Sequence, residues 1–323
     1  MSEATDRLDD PTTEGCAAQT RGVGEPLAGT APQAVAWVAL EQDGPWGAKA
    51  FTQSQLDPDL GAALEARAAA IGARALLIRT PGRHSNNVVD GPRRLLVAFT
   101  APGGSWLLDA TIDDPATVLD LDWDALAAGD RAAVRDSLPG LESSDDAHLL
   151  VCANSKRDTC CAVLGRPVAR DAWSAAPGRV WETTHVSGHR FAATSVVLPS
   201  GYLHGRLDTT SALQVLADAE VGLVAVDVGD EAGVRGRSTW TAAGQVAEVE
   251  VRRATGEEDV DALVVLSTEP ASDGDGDDVL VGHRDGRRWR VRVTTRETDA
   301  SRAESCAKPA VPLRHLVGTL LDD

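Results

Sequence analysis

Strand-sized apolar runs and helix patterns alternate along the first half of the chain. An apolar run at residues 34–40 leads into a Gly-Pro-Trp-Gly turn and then to Asp57, which precedes an Ala/Leu-rich stretch at 60–71. An Asp just before such a stretch is typical of a helix N-cap. Three further apolar runs predict strands at 75–79, 94–100 and 105–110. The pattern therefore predicts an N-terminal α/β region over residues 31–146.

The second half begins after an acidic, Ser-containing linker at 142–146, where we place a domain boundary. Beyond it the pattern predicts a buried strand, a helix after a cysteine-rich loop, and then further strands and helices, which together form a second domain over residues 147–295. Residues 1–30 are rich in Asp, Glu, Thr and Gly without periodicity, so we expect a disordered acidic tail. Residues 296–323 are expected to be a C-terminal tail.

The charge balance narrows the choice of partners. The 323-residue chain has a formal net charge of -18, whereas binding to nucleic acid or to an anionic membrane requires a surplus of Lys and Arg. The first residues are acidic and polar where a secretory signal is basic and then apolar, and the apolar runs are far shorter than the roughly 20 residues that span a bilayer. We therefore expect a cytoplasmic protein with no nucleic-acid and no membrane partner.

The cysteines favour a metal or redox site over disulfide bonds. Five cysteines form an odd set in a long chain, and three of them, Cys152, Cys160 and Cys161, lie within ten residues of one another. In a reducing compartment such a cluster more often binds a metal or carries redox chemistry than forms a structural disulfide.

Two histidines complete a ligand set with these thiols. The segment Cys152-Ala-Asn-Ser-Lys-Arg-Asp-Thr-Cys160-Cys161 is followed by His185-Val-Ser-Gly-His189. Thiolates and imidazoles are ligands that zinc and iron–sulfur clusters both accept. The histidine spacing fits half of a Cys2His2 zinc site, but Cys152 and Cys161 are farther apart than the usual C-x2-4-C. A cluster spreads its ligands over two irons and suits the wider spacing, so spacing alone leaves both open.

The residues around these positions resemble the sucrase/ferredoxin-like family. The resemblance rests on C-A-N-S-K-R-D-T-C-C-A, H-V-S-G-H-R-F-A-A-T and L-P-S-G-Y-L-H-G-R, and it is close over residues 149–227 and looser from residue 34 onwards. It implies an α/β fold in which a thioredoxin-like ferredoxin domain, with an additional N-terminal α/β region, binds a [2Fe-2S] cluster through two cysteines and two histidines. Carried over by position, these are Cys152, Cys161, His185 and His189, with Cys160 as the alternative to Cys161.

A [2Fe-2S] cluster with this ligand set implies an electron-transfer protein. Neutral imidazoles in place of thiolates make reduction easier, as in Rieske centres, whose potentials span roughly -150 to +300 mV against about -400 mV for plant-type ferredoxins. An imidazole that titrates would couple the electron to a proton. The sequence offers no constrained carboxylate pair for glycoside hydrolysis. The alternatives are a structural zinc-binding module with the same ligands and a thiol enzyme acting through Cys160.

Local charge predicts a docking face for a redox partner protein. Residues 152–206 include seven basic and three acidic side chains, a local balance of +4 in a chain of -18. Basic groups near the cluster steer an acidic partner. The competing interpretation is that Arg157 and Arg190 simply form ion pairs with Asp158 and Glu182.

Overall fold

Two βαβ units, each followed by a β-hairpin, lie edge to edge in one mixed sheet of eleven strands. The structure is a computed structural model that describes residues 15–83, 91–306 and 308–321. The strands of this sheet are β1 (Ala36–Glu41), β2 (Arg74–Arg79), β3 (Arg93–Phe99), β4 (Trp106–Ile112), β5 (Glu142–Ser144), β6 (His148–Cys152), β7 (Val180–Thr183), β8 (Ser195–Leu198), β9 (Tyr202–Gly205), β10 (Asp227–Val228) and β11 (Ala232–Arg237).

The helices lie mainly in the connections between these strands. They are α1 (Cys16–Gly22), α2 (Ala50–Gln53), α3 (Pro58–Ala70), α4 (Trp123–Ala128), α5 (Arg131–Ser137), α6 (Thr159–Ala175), α7 (Thr209–Glu220) and α8 (Ala242–Thr255), with 3-10 helices at Pro115–Asp120 and His189–Phe191. Among the described residues, none of the helices has the length and apolar character needed to cross a membrane.

The two units repeat one strand arrangement. In the first, β1 is parallel to β2 and antiparallel to β3, which pairs with β4. In the second, β6 is parallel to β7 and antiparallel to β8, which pairs with β9. Each unit has the strand order and directions of a thioredoxin-like sheet, and the predicted α/β class is confirmed. The units meet where β2 and β7 pair antiparallel, with Arg79 opposite Glu182.

Apolar residues fill both faces of the large sheet. The first five residues of β1 are buried, as expected for a central strand that is covered on both sides. Trp37 on this strand is fully buried, and its Nε1 donates to Ser238 Oγ at 3.0 Å. On the same face one apolar cluster runs from Trp37 and Leu76 in the first unit to Leu150 and Cys152 in the second. The predicted boundary near residue 146 therefore separates two units that share a sheet and a core.

A second, antiparallel sheet packs against α8. Its strands are β12 (Leu263–Pro270), β13 (Asp277–His283), β14 (Arg288–Ala303) and β15 (Ala310–Leu321). Of the residues 296–323 that the sequence assigned to a C-terminal tail, 296–306 and 308–321 are described; they complete β14 and form β15, which pair from Arg290–Leu321 to Ala303–Ala310. Most side chains of this ribbon are exposed or half-buried, so it lacks the buried alternation by which strands are recognised.

Residues 15–30 also differ from the predicted disordered tail, of which residues 1–14 lie outside the described residues. Helix α1 buries Cys16 and Thr20. After it, Glu25 is 1% exposed and accepts hydrogen bonds from Arg190 Nε at 3.0 Å and from Arg302 Nε at 2.6 Å. These partners are 165 and 277 residues away along the chain, so a local sequence pattern could not predict the contacts.

Candidate metal centres

The connection from β6 to α6 brings Cys152 and Cys161 together. Cys152 is the last residue of β6, a strand that is buried along its whole length. Asp158 caps α6 by accepting from Cys160 N at 2.9 Å, and Cys161 lies in the first turn. Gly165, one turn later, allows the helix to lie against the strand, because a Cβ there would be 2.0 Å from the Cys152 carbonyl oxygen. Both Cys152 and Cys161 are fully buried.

The loop after β7 carries His185 and His189. Ser187 and Gly188 have φ values of 73° and 70°, so the loop turns sharply between the two histidines. The fully buried Arg235 packs against this turn, and its Nη1 donates to Ser187 O at 3.1 Å. The two imidazole rings are thereby held with their centroids 5.1 Å apart.

Three of the four predicted ligands meet at one point. The ligand atoms of Cys152, Cys161 and His185 all lie within 4.8 Å of one another, and Cys152 Sγ is 3.9 Å from His185 Nδ1. His189 stands beside them. Its Nε2 lies 3.7 Å from Asp158 Oδ2, and its Nδ1 is buried with no hydrogen-bond partner among the described residues. A buried polar atom without a partner needs an explanation, and a metal ligand is one.

A hydrogen bond between the two cysteines of this group shifts their pKa values in opposite directions. A hydrogen bond from the Cys161 thiol, supported by the neighbouring His185, lowers the pKa of Cys152 well below its ordinary value. The same bond, together with burial, raises the pKa of Cys161. Burial lowers the pKa of His189, against the opposing charge of Asp158. These opposite shifts favour the thiolate at Cys152 and the thiol at Cys161, so a metal that binds both sulfurs displaces a proton from Cys161.

A cleft of about 450 Å³ opens over the two histidines. Its lining includes one acidic residue, Glu304, and four basic ones, Lys156, Arg157, Arg190 and Lys308. Two residues of the ion pairs considered from the sequence have other partners: Glu182 binds Arg79 at 2.8 Å, and Arg190 binds Glu25 at 3.0 Å. Three of the seven basic residues counted between 152 and 206 therefore line this cleft: Lys156, Arg157 and Arg190.

A second group of thiols lies next to the first. Cys16, Cys160 and Cys306 converge on Asp158, again with ligand atoms within 4.8 Å of one another. Neighbouring residues on a helix point about 100° apart, so Cys160 faces α1 while Cys161 faces the first group. From the sequence, Cys16 falls in the predicted disordered tail and Cys160 is an alternative to Cys161. Cys16 and Cys306 are 144 and 146 residues from Cys160, so no spacing motif could reveal this group.

One comparison with known proteins gives a match. A family model described as Sucrase/ferredoxin-like matches residues 27–224, more than half of the 323-residue chain. The four predicted ligands lie inside the matched range, whereas Cys16 and Cys306 lie outside it. No curated protein and no solved structure matches the chain.

Proposed function

Because the chain belongs to the sucrase/ferredoxin-like family, we propose that it is a one-electron carrier whose [2Fe-2S] cluster is bound by Cys152, Cys161, His185 and His189. The observation that carries the proposal is the convergence of Cys152, Cys161 and His185, three of the four positions that the family resemblance implies, from a strand end, a helix start and a loop. The buried Nδ1 of His189, which has no hydrogen-bond partner in the described parts of the chain, supports His189 as the fourth ligand.

The donor set and its surroundings suit such a cluster. Thiolates and imidazoles are its established kinds of ligand in proteins, and the cluster supplies a reversible one-electron change. The chain keeps Cys152 and Cys161 fully buried, which excludes water from the sulfur side. The side chain of His189 is 20% exposed and lines the cleft together with His185. A redox partner would therefore approach the centre from the histidine side.

Two charged side chains adjust the redox properties of this centre. Burial, with Arg190 nearby, lowers the pKa of Arg235 to about 9, against the opposing effect of thiolate charge at Cys152 and Cys161. A guanidinium still keeps its proton at neutral pH, so a buried positive charge favours the reduced cluster. On the other side, the carboxylate of Asp158 favours a proton on Nε2 of His189 and leaves Nδ1 as the ligand atom. If that proton is lost as the pH rises, the reduction potential of the centre would depend on pH.

We propose a redox partner protein with an acidic surface. The cleft over His185 and His189 carries more basic than acidic side chains, and complementary charge accelerates encounter and fixes orientation. Since surface charges are screened by salt, this recognition weakens as ionic strength rises.

The test is anaerobic purification after iron-replete growth, followed by iron and sulfide analysis, visible absorption, and EPR before and after dithionite. We expect a coloured protein with two irons and two sulfides per chain, whose reduced EPR signal shifts in His185→Cys and in His189→Cys. The matched control is His315→Cys, because His315 lies on β15 in the other sheet. That variant should keep the wild-type signal.

The second candidate is a structural zinc module that uses the same four side chains. It is favoured by the 4.8 Å span of three ligand atoms, which also suits a single tetrahedral ion. A colourless protein with stoichiometric zinc at Cys152 and Cys161 after iron-replete anaerobic growth would establish this alternative and overturn the electron carrier.

A further inference from the structure

Three cysteines and one aspartate from distant parts of the chain meet beside the first centre. Cys16 opens α1, Asp158 and Cys160 lie at the start of α6, and Cys306 lies in the turn between β14 and β15. The sulfur of Cys16 is 3.7 Å from that of Cys160 and 3.6 Å from that of Cys306. The sulfurs of Cys160 and Cys306 are 3.1 Å apart. Asp158 Oδ1 is 3.2 Å from Cys306 Sγ and 3.9 Å from Cys16 Sγ.

We propose that Cys16, Cys160, Cys306 and Asp158 bind one zinc ion. With Zn–S bonds of about 2.3 Å and Zn–O bonds of about 2.0–2.2 Å, a tetrahedral ion places neighbouring ligand atoms about 3.5–3.8 Å apart. Two of the three sulfur–sulfur distances fall in that range. The distance between the sulfurs of Cys160 and Cys306 would have to increase by about 0.6 Å to reach this range. Cys306 can make this movement because it lies in an exposed turn.

The surroundings of Asp158 point independently to a cation. Its side chain is 1% exposed and accepts from the backbone N–H groups of Cys160 and Cys306 and from Ser305 Oγ, all neutral donors. Among the described residues its one ion-pair contact is to the imidazole of His189, at 3.7 Å. A buried carboxylate without a full counter-charge is costly. A divalent cation held between it and three thiolates provides that charge.

The zinc ion ties together parts of the chain that the sequence keeps far apart. It fixes α1 and the β14–β15 turn to the start of α6, the helix that carries Cys161. Because Cys16 and Cys306 lie outside the family-matched residues 27–224, the site is an addition to what the family resemblance covers. Its role is structural, and the proposal does not depend on the electron-carrier function.

The experiment is metal analysis of the full-length protein, purified anaerobically with reductant from zinc-containing medium. We expect one zinc per chain in the wild type beyond any metal at the first centre, and loss of this zinc in Cys306→Ser and in Cys16→Ser. Cys306→Ser is the primary variant, because its side chain is exposed and folding should survive. Cobalt added to metal-free Cys152→Ser, in which the first centre has lost a ligand, should give thiolate-to-cobalt absorption, and this absorption should be absent from the double variant Cys152→Ser/Cys306→Ser.

Cys152→Ser serves as the control that separates the two centres. It should lose the metal of the first centre and keep the zinc, whatever that first metal is. The proposal is overturned if the zinc disappears in Cys152→Ser but not in Cys306→Ser. It is equally overturned if the reduced wild type takes up neither zinc nor cobalt at this site. Peptide mapping that finds a Cys160–Cys306 disulfide in the anaerobically purified protein also overturns it.

Discussion

Gly165→Ala tests whether the contact between α6 and β6 determines the first metal centre. In an isolated helix this change is favourable by about 1 kcal/mol, because Gly is a poor helix former. Here the new Cβ would lie 2.0 Å from the carbonyl oxygen and 3.2 Å from the carbonyl carbon of Cys152. Both atoms belong to the backbone of a buried strand, so neither can swing aside. The helix itself has to move away from the strand.

The expected cost follows from this displacement. Overpacking a well-packed contact costs about 1–3 kcal/mol, sometimes more, and the gain in helix propensity returns about 1 kcal/mol. Because the clash is with rigid backbone at 2.0 Å, the cost lies at the upper end, and we expect Gly165→Ala to lower the free energy of unfolding by about 2 kcal/mol, roughly a thirtyfold change in the folding equilibrium. Cys161 lies one turn before Gly165 on the same helix face, so the displacement also separates it from Cys152 and reduces bound metal.

Urea denaturation and metal analysis of the purified variant measure both effects. The matched control is Gly22→Ala at the end of α1, where a Cβ has no neighbour within 4 Å. That variant should keep the wild-type midpoint and metal content. A Gly165→Ala protein with an unchanged midpoint and full metal occupancy would refute the argument that close packing of α6 on β6 builds the centre.

Two further predictions concern buried ionisable groups. Glu182→Ala removes an ion-pair partner of Arg79, and both side chains are at most 2% exposed. We therefore expect urea denaturation to show that the free energy of unfolding falls by about 3–5 kcal/mol. The exposed control Asp171→Ala should behave like the wild type. Burial lowers the pKa of His148 and of His204 to about 4. Because the unfolded chain then binds more protons below pH 6.5, stability should fall from pH 6.5 to 5 by up to about 1.4 kcal/mol per histidine and pH unit. His204→Gln should flatten this profile, and a flat wild-type profile would contradict the prediction.

Local sequence patterns predicted those helices and strands whose own residues show a cap or a regular alternation of apolar and polar positions. The predicted cap at Asp57 is present, where its side chain accepts from Asp59 N and Leu60 N at the start of α3. The motif that contains the proposed ligands of the first centre spans residues 152–189, so these candidates could be found by reading the chain. The second group of thiols and the packing of α1 depend on partners more than a hundred residues away. Such contacts arise only when the chain folds, and the sequence alone did not reveal them. The β14–β15 ribbon pairs locally and was missed for another reason, because few of its side chains are buried in alternation.

The repeated topology explains what the N-terminal unit contributes to the centre. In the first unit the strand equivalent to β6 is β1, which ends at Glu41 where β6 ends at Cys152. The thioredoxin-like sheet therefore does not itself specify the ligands. The first unit acts through β2 instead: Leu77 O accepts from Thr184 N at 2.9 Å, and Leu77 N donates to Thr184 Oγ1 at 3.1 Å. Since Thr184 directly precedes His185, the N-terminal unit anchors the loop that carries both histidines.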